Sequence, residues 1–116
     1  MHNFKELKIW KDSLQLAFDI YKTTKGFSAG ERYGLTSQIN RCIVSIPSNI
    51  AEGSSRDSKK DFGRFLEMAL GSSFELETQL LIAKDCGYIT EEKCSDYINR
   101  ISILQKMIFG FKEKLK

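Results

Sequence analysis

Residues 59–86 read KKDFGRFLEMALGSSFELETQLLIAKDC. Phe62, Phe65, Leu66, Ala69, Ser73, Leu76, Leu80 and Ala83 recur in it at steps of three and four, the period of one helical face. The stretch predicts a single helix from Lys59 to Cys86, with Asp57 or Ser58 as its cap and Gly87 as its stop. At 1.5 Å per residue such a helix is about 40 Å long. An amphipathic rod of that length buries its stripe only against other rods, so the neighbouring sequence must supply them.

It does, on both sides. Before it, Leu35, Ile39, Cys42, Ile43, Ile46 and Ile50 form the stripe of a second helix. That helix is expected to begin after Ser28, with Ser28 and Glu31 as a capping box, and to end near Gly53. After it, Thr90 caps a fourth helix that runs to Leu115 through Cys94, Tyr97, Ile98, Ile101, Leu104, Ile108, Phe111 and Leu115. Glu91 and Glu92 suit its positive end, and Lys112, Lys114 and Lys116 its negative end. At the start of the chain, Phe4 to Lys25 reads as a first helix with Leu7, Trp10, Leu14, Ala17, Phe18 and Tyr21 on its main face. No stretch alternates with period two for the length of a strand. Short connections make sequential helices antiparallel. The expected fold is all-α: an up-down-up-down four-helix bundle over residues 1–116, one domain.

Composition limits the chemistry. The chain has 116 residues, 18 basic and 15 acidic, for a net charge of +3. Three cysteines, Cys42, Cys86 and Cys94, are odd in number and irregular in spacing, so they form no disulfide framework and fit a reducing, cytoplasmic setting. The one histidine is His2, expected in a frayed terminus, which removes a histidine triad and a Cys/His zinc site from consideration. No phosphate-loop or dinucleotide glycine motif occurs, and no metal or cofactor is expected. No apolar run is long enough to span a membrane. An enzyme is therefore not expected.

Some apolar residues fall outside the bundle stripes. Ile9, Leu16 and Ile20 cluster on the far side of the first helix, and Leu70, Phe74 and Leu81 widen the arc of the third. Two apolar sides predict two buried sides, so these six residues are the expected interface between identical subunits. The alternative is a protein-interaction module in which Ile9, Leu16 and Ile20 hold a different partner.

Polar groups on the helices suggest structure before chemistry. Pro47 inside the second helix predicts a kink, flanked by Arg41, Ser45, Ser48, Asn49 and Glu52. Ser45 has no histidine to activate it. Glu75 and Glu77 point about 200° apart and do not converge as an acid–base pair. Glu77 lies inside the apolar arc and needs a partner, with Arg41 or a hydroxyl of the second helix expected. Basic residues gather at the second connection, as Arg56, Lys59, Lys60 and Arg64, and at Lys112, Lys114 and Lys116. In an up-down-up-down bundle the two groups share one end, where they can contact RNA or DNA phosphates.

Two segments carry a family resemblance. Ile46-Pro47-Ser48-Asn49-Ile50-Ala51-Glu52-Gly53 resembles the signature of the four-helix-bundle proteins linked to 23S rRNA intervening sequences. Leu70-Gly71-Ser72-Ser73-Phe74-Glu75-Leu76-Glu77-Thr78-Gln79-Leu80 is similar to that family's second block, and Phe4 to Trp10 and Tyr33 to Ile39 also match. The resemblance implies a cytoplasmic bacterial four-helix bundle that assembles as a homopentamer. It makes Pro47, Ser48, Asn49, Glu52, Gly53 and Glu77 residues of packing and subunit contact. The family is also similar to the accessory protein of diversity-generating retroelements, which implies nucleic acid and a nucleic-acid enzyme as further partners. It implies no catalytic residue.

Overall fold

A computed structural model gives the structure of residues 2–31 and 34–116, with Glu31 described in its backbone only. The described residues form four helices and no strand: α1 (Lys8–Thr24), α2 (Leu35–Ser54), α3 (Lys59–Asp85) and α4 (Glu91–Lys114). The molecule is an elongated all-α bundle of 43 × 24 × 20 Å.

The ends of α3 and α4 follow the local chemistry. Ser58 accepts the Asp61 N–H at 3.0 Å, and Thr90 accepts the Lys93 N–H at 3.1 Å. These hydroxyls satisfy N–H groups that a helix start leaves without intrahelical partners. Gly87 has φ +83°, and the N–H groups of Gly87 and Tyr88 return to the carbonyls of Lys84 and Ala83. This paired turn-back is the Schellman stop that the glycine permits.

Two helix starts differ from expectation. The chain opens with a 3-10 turn over Phe4–Glu6, capped by Asn3, and Leu7 is extended before α1 begins. A second 3-10 turn, Ala29–Glu31, stands where α2 was expected to start, and α2 begins at Leu35 after Gly34. The expected capping box rests on the Glu31 side chain, which lies outside the described residues. α2 continues through the buried Pro47 to Ser54.

Each helix packs on two others: α1 on α2 and α4, and α3 on α2 and α4. Late α1 meets early α2 where the Thr24 hydroxyl oxygen lies 3.0 Å from the Asn40 side-chain amide. Late α2 meets early α3 where Gly53 abuts Phe62 and Phe65. Late α3 meets early α4 where the Cys94 thiol points at the Leu80 carbonyl, 3.5 Å away. Early α4 returns to late α1, where Tyr97 donates to the Asp19 carbonyl at 3.1 Å and Arg100 pairs with the Asp19 carboxylate at 2.9 Å.

The core corrects the expected subunit face. Ile9, Leu16 and Ile20 are 4%, 2% and 0% exposed and belong to the bundle interior. They therefore cannot serve as an interface or hold a different partner. The expected main face of α1 is divided: Ala17 is buried and Leu7 and Trp10 pack half-buried against the core, while Phe18 at 52% and Tyr21 at 41% exposure point outward. The physical reason lies in Ser13 and Thr24, which are buried between the aliphatic residues. Their hydroxyls donate to the carbonyls of Trp10 and Tyr21, so both polar groups enter the core satisfied. An apolar count breaks this face at those two positions, and the outward face then looks the more continuous.

Two smaller expectations change. His2 is not frayed: its N–H donates to the Ser54 carbonyl at 3.1 Å, and its ring lies edge-on to Phe62 and Phe111. Glu77 finds its partner on α4, where Gln105 donates at 3.4 Å. Neither Arg41 nor a hydroxyl of α2 fills that role.

Candidate nucleic-acid interface

Three segments build one end of the molecule: the α2–α3 connection, the first turns of α3 and the last turns of α4. The short connection between Ser54 and Lys59 keeps the start of α3 beside the end of α2. The Glu67–Lys112 pair, at 3.2 Å, ties the last turns of α4 to α3. Between them lies a hollow of about 470 Å³ lined by Lys59, Lys60, Gly63, Glu67, Lys112, Leu115 and Lys116. Residues 45 or more positions apart in sequence thus share one surface.

Of the seven basic residues singled out by sequence, four meet in this hollow. Lys59 and Lys60 are exposed and form no ion pair among the described residues. Lys112 is committed to Glu67, and Lys116 to Glu113 at 3.1 Å. Gly63 leaves the rim open on the α3 side, and the positive end of α3 adds to the local potential. The other three face elsewhere. Arg56 lies over the Phe65 ring, 4.8 Å from its centre, and pairs with Glu52 at 3.4 Å. Arg64 pairs with Asp61 at 3.6 Å. Lys114 lines a different hollow, between Glu6, Lys8 and Lys106. The arrangement suits a phosphate at Lys59 and Lys60, with Lys112 and Lys116 drawing field lines to the same place.

The polar residues of α2 and α3 form a separate internal layer. The hydroxyls of Ser45 and Ser72 lie 2.8 Å apart, and Asn49 donates to the Ser45 hydroxyl at 2.9 Å and to its carbonyl at 2.8 Å. Next along α3, Ser73 is fully buried and accepts from Gln105 at 3.1 Å. Ser45 is thus occupied by structural bonds. The Cys42 thiol points at Glu75, 3.8 Å away; burial first, and that carboxylate second, push its pKa up. Burial likewise raises the pKa of Cys94. Both thiols are held in their unreactive form.

Sequence reasoning missed an apolar groove between α1 and α2. Trp10, Leu14, Ala17, Phe18 and Tyr21 of α1 and Val44, Pro47, Ser48 and Ala51 of α2 line about 360 Å³ of open space. The signal is present in the sequence: five of these residues recur at helical spacing on the expected main face of the first helix, and spacing alone does not distinguish a stripe that faces the core from one that lines a groove.

Among the described residues, no helix is long and apolar enough to cross a membrane. A family model described as 23S rRNA-intervening sequence protein matches residues 5–110. Solved structures also match. Among them is the 1.70 Å crystal structure of a Bacteroides thetaiotaomicron protein of unknown function from the S23 ribosomal protein family. It aligns with a TM-score of 0.79 and 26% identity over 90% of this chain and 97% of that one. A comparison with curated proteins finds no match.

Proposed function

We propose that this chain, which belongs to the 23S rRNA-intervening sequence protein family, is a non-enzymatic nucleic-acid-binding scaffold of the bacterial cytoplasm. It works as a ring of identical subunits, a pentamer as the family resemblance implies. Its bundle runs up-down-up-down with antiparallel neighbours, a reading supported by late segments meeting early ones at each helix pair.

The observation that carries the binding reading is the hollow in which Lys59 and Lys60 stand beside Lys112 and Lys116. Two exposed ammonium groups without carboxylate partners attract a phosphate backbone and read no sequence in it. The occupied hydroxyl of Ser45 supports a binding role over a nucleophilic one. Exposed Phe18 and Tyr21 on α1 and exposed Phe74 and Leu81 on α3 support assembly, since large apolar side chains left in water on two sides of a small chain mark contact surfaces.

The test is a salt titration of binding to a fluorescent single-stranded RNA, for the native chain and for Lys59→Glu combined with Lys60→Glu. The native chain should lose affinity steeply with salt. The double variant should bind several-fold more weakly, with a log–log salt slope flatter by about 1.4 for each subunit engaged. Equal affinity and equal slope in the two proteins would remove this site.

A further inference from the structure

The last turns of α4 separate two basic hollows. The first is the one described above, with Lys112 and Lys116 on its α4 wall. The second, of about 440 Å³, lies between α4 and the start of the chain. Lys106, Gly110 and Lys114 are on its α4 side, and Glu6, Leu7 and Lys8 on the other. Lys8 pairs with Asp12 at 3.0 Å, and Glu6 is the one acid in the lining. Lys106 and Lys114 are exposed and form no ion pair among the described residues. Phe109 stands between the two hollows on the outer surface of α4. At 3.6 residues per turn, Lys116 lies about 20° to one side of it and Lys106 about 60° to the other. α4 fills the core with Cys94, Tyr97, Ile101, Leu104 and Ile108, and Phe109 is left 55% exposed. Most side chains one turn away are held by other groups: Gln105 by Ser73 and Glu77, Lys112 by Glu67, and Glu113 by Lys116. The ring is therefore open, with ammonium groups on both flanks.

We infer that a single-stranded nucleic acid crosses α4 here, with a base stacked on Phe109 and the phosphates to either side held in the two hollows. The inference rests on the nucleic-acid reading above and names the form of nucleic acid and the residue that tells it from a duplex. Three features favour a single strand. First, an aromatic face between basic grooves is the combination that binds unpaired bases and their backbone together. A duplex keeps its bases stacked inside, so a side chain on a convex helix surface meets only its backbone, whereas unpaired bases can turn onto the ring. Second, the distance fits. A helix is about 10 Å across, which about three nucleotides cover at ~3.4 Å each. Third, the surroundings do not suit another protein chain, because lysine is depleted from the centres of protein–protein contacts.

Phe109→Ala tests this, with circular dichroism to check that the helices persist. Three fluorescent probes of equal length separate base from phosphate: an oligo-uridine strand, an abasic strand and an RNA duplex. On oligo-uridine the variant should bind at least about 5-fold more weakly than the native chain, the low end of the cost of losing one stacking side chain. Its salt slope should be native, since no charge is lost. Its binding to the abasic strand and to the duplex should also be native, and Phe109→Trp should hold oligo-uridine at least as tightly as phenylalanine does. Lys106→Gln combined with Lys114→Gln should instead flatten the log–log salt slope on oligo-uridine by about 1.4 for each subunit engaged. Native affinity of Phe109→Ala for oligo-uridine, or an equal loss on all three probes, overturns the stacking and leaves the Lys59–Lys60 site standing. An unchanged slope in the lysine double variant overturns the crossing between hollows. A native chain that binds none of the probes at low salt overturns the nucleic-acid reading, and this inference with it.

Discussion

Gly53 sets how closely α2 approaches α3. A Cβ at this position would lie 2.7 Å from Phe65 Cβ and 2.9 Å from Phe62 Cδ1. Phe65 Cβ is fixed to its backbone, so relief requires the helices to part. Gly53→Ala should destabilise the fold by about 1–3 kcal/mol, the usual range for overpacking. The check is urea unfolding, with a lower midpoint and an unchanged slope. A midpoint equal to that of the native chain would mean the helices yield freely. This constraint was only partly legible. A glycine at the end of the second helix reads as a stop, yet Gly53 lies inside α2 and carries no positive φ. Two phenylalanines arriving from the next helix impose its requirement, and no local pattern announces them.

Helix boundaries were legible where a side chain makes the cap and obscure where the backbone does. Ser58 and Thr90 read directly as caps and perform as such. Gly34, at the start of α2, offers no side chain, so the sequence suggested Ser28 instead. Ser58→Ala and Thr90→Ala should each cost about 1 kcal/mol. The two sites cap different helices, and their costs should add in the double variant. Thermal unfolding of the three variants measures this, and a shortfall from additivity would show that the two helix starts communicate. Helical faces follow the same rule. The stripe of α3 was correct because it contains one small polar residue, Ser73, among large apolar ones. That of α1 was only partly correct because Ser13 and Thr24 interrupt the buried side, while Phe18 and Tyr21 advertise the exposed one.

At the scale of the molecule, all four helices were legible, as was the gathering of basic groups at one end. The allocation of charge was not, because ion pairs depend on distances across the bundle. Only the fold reveals that Lys112 is committed to Glu67 while Lys59 and Lys60 are not. The basic end and the apolar sides should respond oppositely to salt. Raising it from about 0.05 M to about 0.5 M should release bound RNA, which depends on counterion exchange. Assembly through apolar surfaces should persist over that range. Sedimentation with labelled RNA reads both, and a particle that dissociates as the RNA leaves would show that RNA holds it together. Five copies at +3 each would carry +15. The serine layer acquires its significance here. Ser72 and Ser73 are adjacent on α3 and bind α2 and α4 respectively, pinning three helices at one level. Sliding any of them by a single residue breaks those bonds. The apolar groove lies on α1 and α2 and exposed Phe74 on α3, so the relative height of these surfaces depends on this internal alignment. The layer acts as a gauge block, fixing inside the chain the level at which each outer surface stands.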